Sequence, residues 1–345
     1  MNVARVVIGI VALSWASGAL GDEGRVVSRT YGVMGTEARF TIYTGDEAKA
    51  DRAFGAAYDE IRRIEVLMTD WERPGEPESD VVRINKAAGK KPVRVSPETV
   101  AVIEKSLEMS RRSEGAFDIT YAVMRGLWKF DEEMDRTLPS AAEIARRRKL
   151  IDWRQVAVDK KANTVLLRKA GMRLGLGGIA KGYAVDRCAA VLRDAGFHDF
   201  MVQAGGDLYV SGRKGAANWM VGVRDPRGGA GAVIAKMAIE NQAFSTAGDY
   251  ERSFILDGRR YHHIIDPKTG YPATASRGVT ILAPDAFVAD GLDDAVFILG
   301  PEKGLKLVES YPGCAAVIVD RDNRVWTSRS LEGKLTRIAA PTDGI

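Results

Sequence analysis

Cysteine and histidine are scarce in this chain of 345 residues, which contains two cysteines and three histidines. A zinc site usually needs three or four such side chains at short spacings, and no such spacing occurs here. A metal ion bound by this chain is therefore expected to have oxygen ligands, as magnesium and calcium ions do. Cys188 and Cys314 lie far apart in the sequence, so their spacing does not decide whether they pair.

Excess charge is also lacking, because the formal net charge is only +4. Proteins that bind the phosphates of nucleic acids usually carry a strongly basic surface, so no nucleic-acid partner is expected. The basic run at residues 146–149 is interpreted most simply as the solvated face of a helix. Binding of a partner through this run is the alternative.

The apolar run near the N-terminus, residues 6–16, is too short to form a stable transmembrane helix. It follows Arg5 and precedes small residues that end at Gly21, which is the pattern of a cleavable signal peptide at residues 1–21. No cysteine follows the run, so a lipid anchor is not predicted. We expect export to a bacterial periplasm, with an uncleaved inner-membrane anchor as the alternative. Residues 22–345 then form one large domain or two closely packed lobes.

Helical and strand-like patterns are mixed along the rest of the chain instead of alternating strictly. Apolar residues at helical spacing, with capping residues before them, predict helices at residues 47–68, 97–114, 180–195 and 290–299. Apolar and polar alternation or short apolar runs predict strands at residues 38–43, 156–158, 165–167, 200–203, 208–210, 219–223, 233–239 and 279–282. This mixture favours an α+β fold with mixed sheets and packed helices over a doubly wound sheet.

Chemically reactive side chains concentrate in residues 261–272, which read Y-H-H-I-I-D-P-K-T-G-Y-P. Two of the three histidines lie here, and the prolines and the glycine predict a stiff turn. His263 and Asp266 would be held on this turn and are candidate catalytic residues. The alternative interpretation is a surface turn after an edge strand.

A glycine-rich stretch, residues 174–186, is predicted to open a helix. Residues 175–180 match the dinucleotide-binding pattern G-x-G-x-x-A, but no acidic residue ends the next strand, so a Rossmann unit is not favoured. The stretch is not a P-loop, because Lys181 is followed by glycine. Free backbone N–H groups at a helix start beside Lys181 nevertheless suit a phosphate group. Tight packing of the helix on a sheet is the alternative.

Carboxylates cluster near residue 290. Asp290 and Asp294 are four residues apart at a predicted helix start, so they share a face and repel each other unless a cation lies between them. Asp293 adds a third carboxylate. Capping of the helix dipole explains Asp290 without a metal ion, so both interpretations stay open. Asp207 follows two glycines between predicted strands, where a simple turn is also possible.

These motifs occur together in the order found in the ApbE family of FAD:protein FMN transferases, which the chain resembles over nearly all of residues 22–345. The shared segments are residues 34–36, 79–85, 115–118 with Thr120, 176–186, 205–207, 246–250, 263–272 and 289–300. The resemblance implies a two-lobed α+β domain that binds FAD, as a substrate, in a cleft between the lobes. With Mg²⁺, such an enzyme transfers FMN to a Ser or Thr hydroxyl of an acceptor protein and releases AMP.

The resemblance also implies roles for individual residues. Asp290 and Asp294 would bind Mg²⁺ together with the backbone carbonyl of Gly178. His263 would orient or deprotonate the acceptor hydroxyl, because histidine exchanges protons near neutral pH, and Asp266 belongs to the same loop. The flavin and adenosine parts would be held by Met34, Asn85, Phe117, Asp118, Thr120, Lys181, Asp207 and His263.

Two positions depart from the family pattern. Asp294 stands where the family usually has threonine, and Gly175 stands where it often has an acidic residue. A carboxylate at position 294 could still bind magnesium. Two other functions remain open, namely an FAD pyrophosphatase that gives FMN and AMP, and a non-catalytic periplasmic FAD carrier. The expected acceptor is a membrane redox protein with a periplasmic face, which the sequence does not identify.

Overall fold

A computed structural model describes residues 24–130 and 136–345 of the chain. The signal peptide predicted at residues 1–21 lies outside these described residues and stays a prediction. Within the described ranges, no helix has both the length and the apolar character needed to cross a bilayer.

Helices and strands are mixed along the described chain. The α-helices are α1 (Glu47–Met68), α2 (Asp80–Lys86), α3 (Pro97–Arg112), α4 (Ala141–Arg148), α5 (Ala180–Asp194) and α6 (Ala286–Glu309). The strands are β1 (Arg25–Val33), β2 (Thr36–Thr44), β3 (Val93–Arg94), β4 (Val156–Asp159), β5 (Thr164–Leu167), β6 (Phe200–Ala204), β7 (Asp207–Ser211), β8 (Trp219–Arg224), β9 (Val233–Ile239), β10 (Gln242–Gly248), β11 (Ser253–Leu256), β12 (Arg259–His262), β13 (Ser276–Ala283), β14 (Ala315–Asp320), β15 (Val325–Thr327) and β16 (Thr336–Arg337).

The largest sheet is antiparallel throughout and has the strand order β1-β2-β6-β7-β10-β13-β14-β15. Helices α1, α5 and α6 pack on one face and form the main apolar core with it. The other face packs on β8 and β9 through a second core that includes Trp219 and Phe244. This arrangement confirms the predicted α+β class.

Helix α6 begins at Ala286, four residues before its predicted start, and this N-terminal end carries the acidic residues of the site. Asp285 is the capping residue, since its side chain accepts a hydrogen bond of 2.8 Å from the backbone N–H of Val288. The expectation that the helix starts near Asp290 is therefore wrong, and Asp290 lies in the second turn. Capping of the helix dipole does not explain its carboxylate. Further along, α6 is kinked at Gly300, which has a φ of 73° and precedes Pro301.

A smaller aromatic cluster lies beside the main core and supports the hairpin of β11 and β12. It consists of Val123, Met124, Trp128, Phe130, Ile144, Phe254, Tyr261 and Ile265. Helix α4 clamps this region, because Arg147 donates to the carbonyls of Val123 and Arg125 and Arg148 donates to that of Lys268. The interpretation of residues 146–149 as a solvated face is confirmed for Arg146, Arg148 and Lys149, which are exposed, and is wrong for the half-buried Arg147.

Candidate active site

A cavity of about 390 Å³ opens where the turn between β1 and β2, the glycine-rich segment, the start of α6 and the loop after β12 meet. These segments are far apart in sequence and are brought together by the main sheet and its helices. Nine of the residues predicted for the site line this cavity, namely Met34, Phe117, Asp118, Gly178, Lys181, Asp207, His263, Asp290 and Asp294. Asn85, Thr120 and Asp266 are not among its lining residues.

The glycine-rich segment and α6 meet at Gly182, in the first turn of α5. Its backbone N–H donates to Oδ2 of Asp290 over 2.7 Å. A Cβ atom here would lie 2.1 Å from the carbonyl oxygen of Ala286, so only glycine fits. Lys181 reaches across the same contact, with Nζ 2.5 Å from Asp207 and 3.1 Å from Asp290. Two helix starts, an ammonium group and two carboxylates are thereby fixed together.

Three buried carboxylates, those of Asp207, Asp290 and Asp293, present oxygen atoms within 4.8 Å of one another. Ser245 bridges two of them, with Oγ 2.5 Å from Asp207 and 2.6 Å from Asp293. A hydroxyl donates only one hydrogen bond, so one of the two carboxyls must itself be protonated. Burial and the neighbouring carboxylates raise the pKa of Asp293 well above its usual range, which makes Asp293 the protonated partner.

The charges in this cluster are unbalanced. Burial and nearby carboxylates raise the pKa of Asp290 to about 7, and burial raises that of Asp294 to about 6. Burial opposes the charge of Lys181, but attraction by the carboxylates of the cluster raises its pKa above the ordinary value and keeps it an ammonium ion. With Asp293 protonated, one ammonium group still faces the carboxyl groups of Asp207, Asp290 and Asp294, so a divalent cation fits the cluster.

Two of the three residues predicted to bind that cation, Gly178 and Asp294, are adjacent in the structure. An ideal Cβ on Gly178 would lie 3.0 Å from Oδ2 of Asp294, so the Asp294 carboxylate lies against the glycine-rich turn. The predicted set of Gly178, Asp290 and Asp294 and the compact set of Asp207, Asp290 and Asp293 share Asp290. Asp290 is thus the residue that either arrangement requires.

His263 presents an unused nitrogen at the cavity. Its Nδ1 atom is buried and has no hydrogen-bond partner among the described residues, while its backbone N–H donates to Arg252 over 3.1 Å. Burial, with repulsion from His262, Arg252 and Lys181, lowers the pKa of the His263 imidazole to about 3. The ring is therefore neutral near pH 7, with a nitrogen able to accept a hydrogen bond.

His262 holds the loop that carries His263. Its Nε2 atom lies 2.8 Å from the carbonyl oxygen of Ala273, which can only accept, so the Nε2 atom carries the proton. Its Nδ1 atom then accepts from the N–H of Ile264. Asp266 shapes the turn of this loop, because its Oδ1 atom accepts from the N–H of Lys268 over 2.8 Å. A direct catalytic role for Asp266 stays a prediction, and its contacts are those of a turn residue.

Two other predicted residues support the cavity wall from behind. Asn85 exchanges two hydrogen bonds of 2.9 and 2.8 Å with the backbone of Leu174, directly before the glycine-rich turn. Thr120 donates to Asp118 over 2.6 Å and is fully buried. Asp118 and Thr120 alternate with apolar neighbours in the sequence, a pattern that predicts an extended segment, but Asp118 instead caps the 3-10 helix Ile119–Met124. Direct contacts of Asn85 and Thr120 with a ligand stay predictions.

Asp70 places a carboxylate beside Gly175, where the sequence lacks the expected acidic residue. Its Oδ2 atom lies 3.1 Å from the position of a Cβ on Gly175, and its partner is the guanidinium of Arg125. The same guanidinium stacks on Trp71, with 4.3 Å to the ring centroid. The wall thus has an acidic group at this point, supplied by another segment of the chain.

Glu65 is a site residue that motif reasoning missed. It lines the cavity, and its Oε1 atom accepts from the N–H of Met34 over 2.8 Å and from Arg73 over 2.6 Å. Met34 has a φ of 53°, which is rare for a side chain other than glycine, so this contact holds a strained turn. A charged residue on the apolar face of α1, beside Ile61 and Ile64, was the signal in the sequence. Further lining residues that the predictions omit include Tyr121, Glu251 and Asp293.

Comparisons with known proteins agree with this geometry. A family model described as the ApbE family matches residues 34–318. The chain is 33% identical over 308 residues to the FAD:protein FMN transferase of Klebsiella pneumoniae (strain 342), covering 89% of this chain and 93% of that protein. It is also 33% identical to the FAD:protein FMN transferase of Treponema pallidum, covering 93% and 92%. Among solved structures, the ApbE protein of Thermotoga maritima has a TM-score of 0.80 at 32% identity, covering 89% of this chain and 98% of that one.

Proposed function

Because this chain belongs to the ApbE family, we propose that it transfers FMN from FAD to a hydroxyl group of an acceptor protein and releases AMP. Its relatives are named for the transfer of FMN from FAD to protein. The observation that carries the proposal is the joint placement of His263, Lys181 and the carboxylates around Asp290 on one cavity. This is the set of groups that attack on a pyrophosphate requires.

The reaction breaks the phosphoanhydride bond of FAD and forms a phosphoester bond to the acceptor. The acceptor oxygen forms a bond to the phosphorus of the FMN part, the bond from that phosphorus to the AMP phosphate breaks, and the hydroxyl loses its proton. Lys181 and the N-terminus of α5 place positive charge beside the pyrophosphate. Asp290, Asp294 and the Gly178 carbonyl would hold Mg²⁺, which supplies further positive charge to the phosphate oxygens when bound.

His263 meets the acceptor hydroxyl. Its neutral imidazole lines the cavity and can accept a hydrogen bond from the hydroxyl, which orients the oxygen. An anionic phosphate beside the ring raises its proton affinity, because the opposite charge stabilises the protonated form. The same ring is thus suited to orient the acceptor first and to take up its proton as the new bond forms.

The remaining lining residues hold the two ends of FAD. Met34, Phe117 and Asp118 form apolar and polar walls beside the phosphate region, and Lys181 with Asp207 closes the other side. Asn85 and Thr120 act through the segments that they support. The transferase domain corresponds to residues 22–345, and export by the signal pattern of residues 1–21 would place it in the periplasm. There the acceptor would be a membrane redox protein with a periplasmic face.

The test is incubation of the protein with FAD, Mg²⁺ and a total protein extract of the source organism. The expected result is flavin fluorescence on a denatured acceptor band, with AMP released in proportion to the flavin attached. Free FMN and AMP without a fluorescent band would instead identify a pyrophosphatase. Intact bound FAD without AMP would identify a carrier.

Glu65 gives a prediction on FAD binding. Replacing it with alanine removes the acceptor that holds the N–H of Met34, so the strained turn relaxes out of the cavity wall. We expect the KM for FAD to rise about tenfold, the usual effect of losing charged hydrogen bonds, with kcat little changed. Glu65→Gln keeps an oxygen that can accept from the N–H of Met34. Its KM for FAD should therefore lie between those of the unaltered chain and of Glu65→Ala. Steady-state kinetics check this, and a fall in kcat at constant KM would contradict the role.

A further inference from the structure

The hairpin of β11 and β12 stands at the mouth of the cavity. Glu251 and Arg252 precede β11, His263 follows β12, and all three line the cavity. Phe254 and Tyr261 are buried in the aromatic cluster beneath the hairpin, with ring centroids 5.4 Å apart. The hairpin is therefore fixed to the site that it borders and is continuous with the histidine that meets the acceptor.

The turn of this hairpin sets which backbone groups face outward. Asp257 and Gly258 have φ values of 49° and 73°, so they form a two-residue turn in which Leu256 and Arg259 are a hydrogen-bonded pair. Pairs alternate along an antiparallel ladder, so the backbone N–H and C=O groups of Ser253 and Ile255 point away from β12. In the described ranges, β11 pairs with no strand other than β12.

This outer edge has the properties of a docking site for an extended chain. Its backbone donors and acceptors are unpaired within the described residues, and Ile255 is 44% exposed on it. An edge of this kind binds a further strand through main-chain hydrogen bonds. Three arginines, at positions 252, 259 and 260, outnumber Glu251 and Asp257 along the hairpin, which favours a partner with acidic side chains.

Building on the proposed function, we propose that the acceptor protein docks as an extended, hydroxyl-bearing segment that adds a strand to the outer edge of β11. Transfer requires the acceptor backbone to approach the cavity mouth. A single extended segment is narrow enough to lie there and place a Ser or Thr side chain in the cavity. A strand advances about 3.3 Å per residue, so a segment paired with Ser253 reaches the mouth at Arg252 one residue further on. Main-chain pairing fixes its register, and the cavity selects the hydroxyl.

Two substitutions at one position test this docking. Ile255→Pro and Ile255→Thr both remove the isoleucine side chain, but only proline removes the outward N–H. No bond within the hairpin is lost, and proline is tolerated at a strand edge whose N–H faces solvent. With FAD, Mg²⁺ and the protein extract, we expect Ile255→Pro to label the acceptor band about tenfold more slowly. Ile255→Thr should stay within about threefold of the original chain, and both variants should bind FAD equally well.

Each outcome decides between the two proposals. Labelling by Ile255→Pro at the original rate overturns the docking, and equal slowing in both variants overturns it in favour of side-chain contact. Release of FMN without any labelled band from the unaltered chain removes the proposed function itself. If Ile255→Pro does not fold, the docking is tested instead on the unaltered chain. Its amide hydrogen exchange is measured with and without the purified labelled acceptor. Slower exchange at Ser253 and Ile255 supports the docking, and unchanged exchange at both overturns it.

Discussion

Replacing His263 with glutamine is expected to slow FMN transfer by about a hundredfold or more, the usual contribution of a positioned acid or base. Glutamine keeps the size and polarity of the ring but cannot take up the acceptor proton. FAD binding should change little if the imidazole serves the acceptor hydroxyl, because glutamine keeps a polar group of similar size at the cavity. The measurement compares the rate of acceptor labelling at saturating FAD with the affinity for FAD from flavin fluorescence.

The matched control is His198→Gln. His198 is exposed and does not line the cavity, so labelling by this variant should equal that of the unaltered chain. Transfer at the original rate by His263→Gln would show that the hydroxyl needs no imidazole at this position. A large loss of FAD affinity would instead place His263 among the FAD-binding groups alone.

Asp290→Asn is the second change with a large expected effect. Asp290 belongs to both possible ligand sets and also accepts from Gly182 and Lys181, so one substitution removes a cation ligand and unbalances the cluster. We expect transfer to fall by about a thousandfold, as for loss of several kcal/mol of charge stabilisation. Binding of Mn²⁺ without FAD, followed by magnetic resonance, should be lost in the same variant. Retention of Mn²⁺ affinity would contradict the role of Asp290.

Two neighbouring variants separate the ligand sets. Asp294→Ala is expected to raise the Mg²⁺ concentration needed for half-maximal transfer, because Asp294 lies against Gly178 at the cavity. Asp293→Asn should change that concentration little, because Asp293 is already paired with Ser245. An unchanged Mg²⁺ dependence in Asp294→Ala would exclude Asp294 as a ligand. The reverse pattern would move the ion to Asp207, Asp290 and Asp293.

Local signals predicted the helices that have clear caps. Asp46, Ser79 and Ser96 each accept a backbone N–H at a helix start, and the first and third mark helices that the sequence predicted. The short helix after Ser79 was missed because its seven residues show little periodicity. Strand β10 was missed because its buried residues are mostly small or polar, so the strand has no apolar alternation. The start of α6 was misplaced because several aspartates nearby could serve as caps.

The sequence predicted the site residues that belong to recognisable motifs and missed those outside them. The colinear order of the motifs gave His263, Lys181 and Asp290, which line one cavity in the structure. Ser245 contacts Asp207, which is 38 positions away, and no local pattern encodes such a distance. Glu65 was marked only by its charge on the apolar face of α1, which does not reveal its contact with Met34, 31 positions away. Asn85, in contrast, belongs to a motif but does not line the cavity. It supports the cavity wall through its hydrogen bond to Leu174.

The contact at Gly182 has a consequence for the order in which ligands bind. Since α5 and α6 touch there with no side chain between them, the phosphate-binding turn and the Asp290 carboxylate move as one unit. A ligand that fixes the position of one helix start reduces the freedom of the other. If the site binds FAD and a divalent cation as proposed, we expect the two to bind cooperatively, and by thermodynamic linkage each would change the affinity for the other by the same factor.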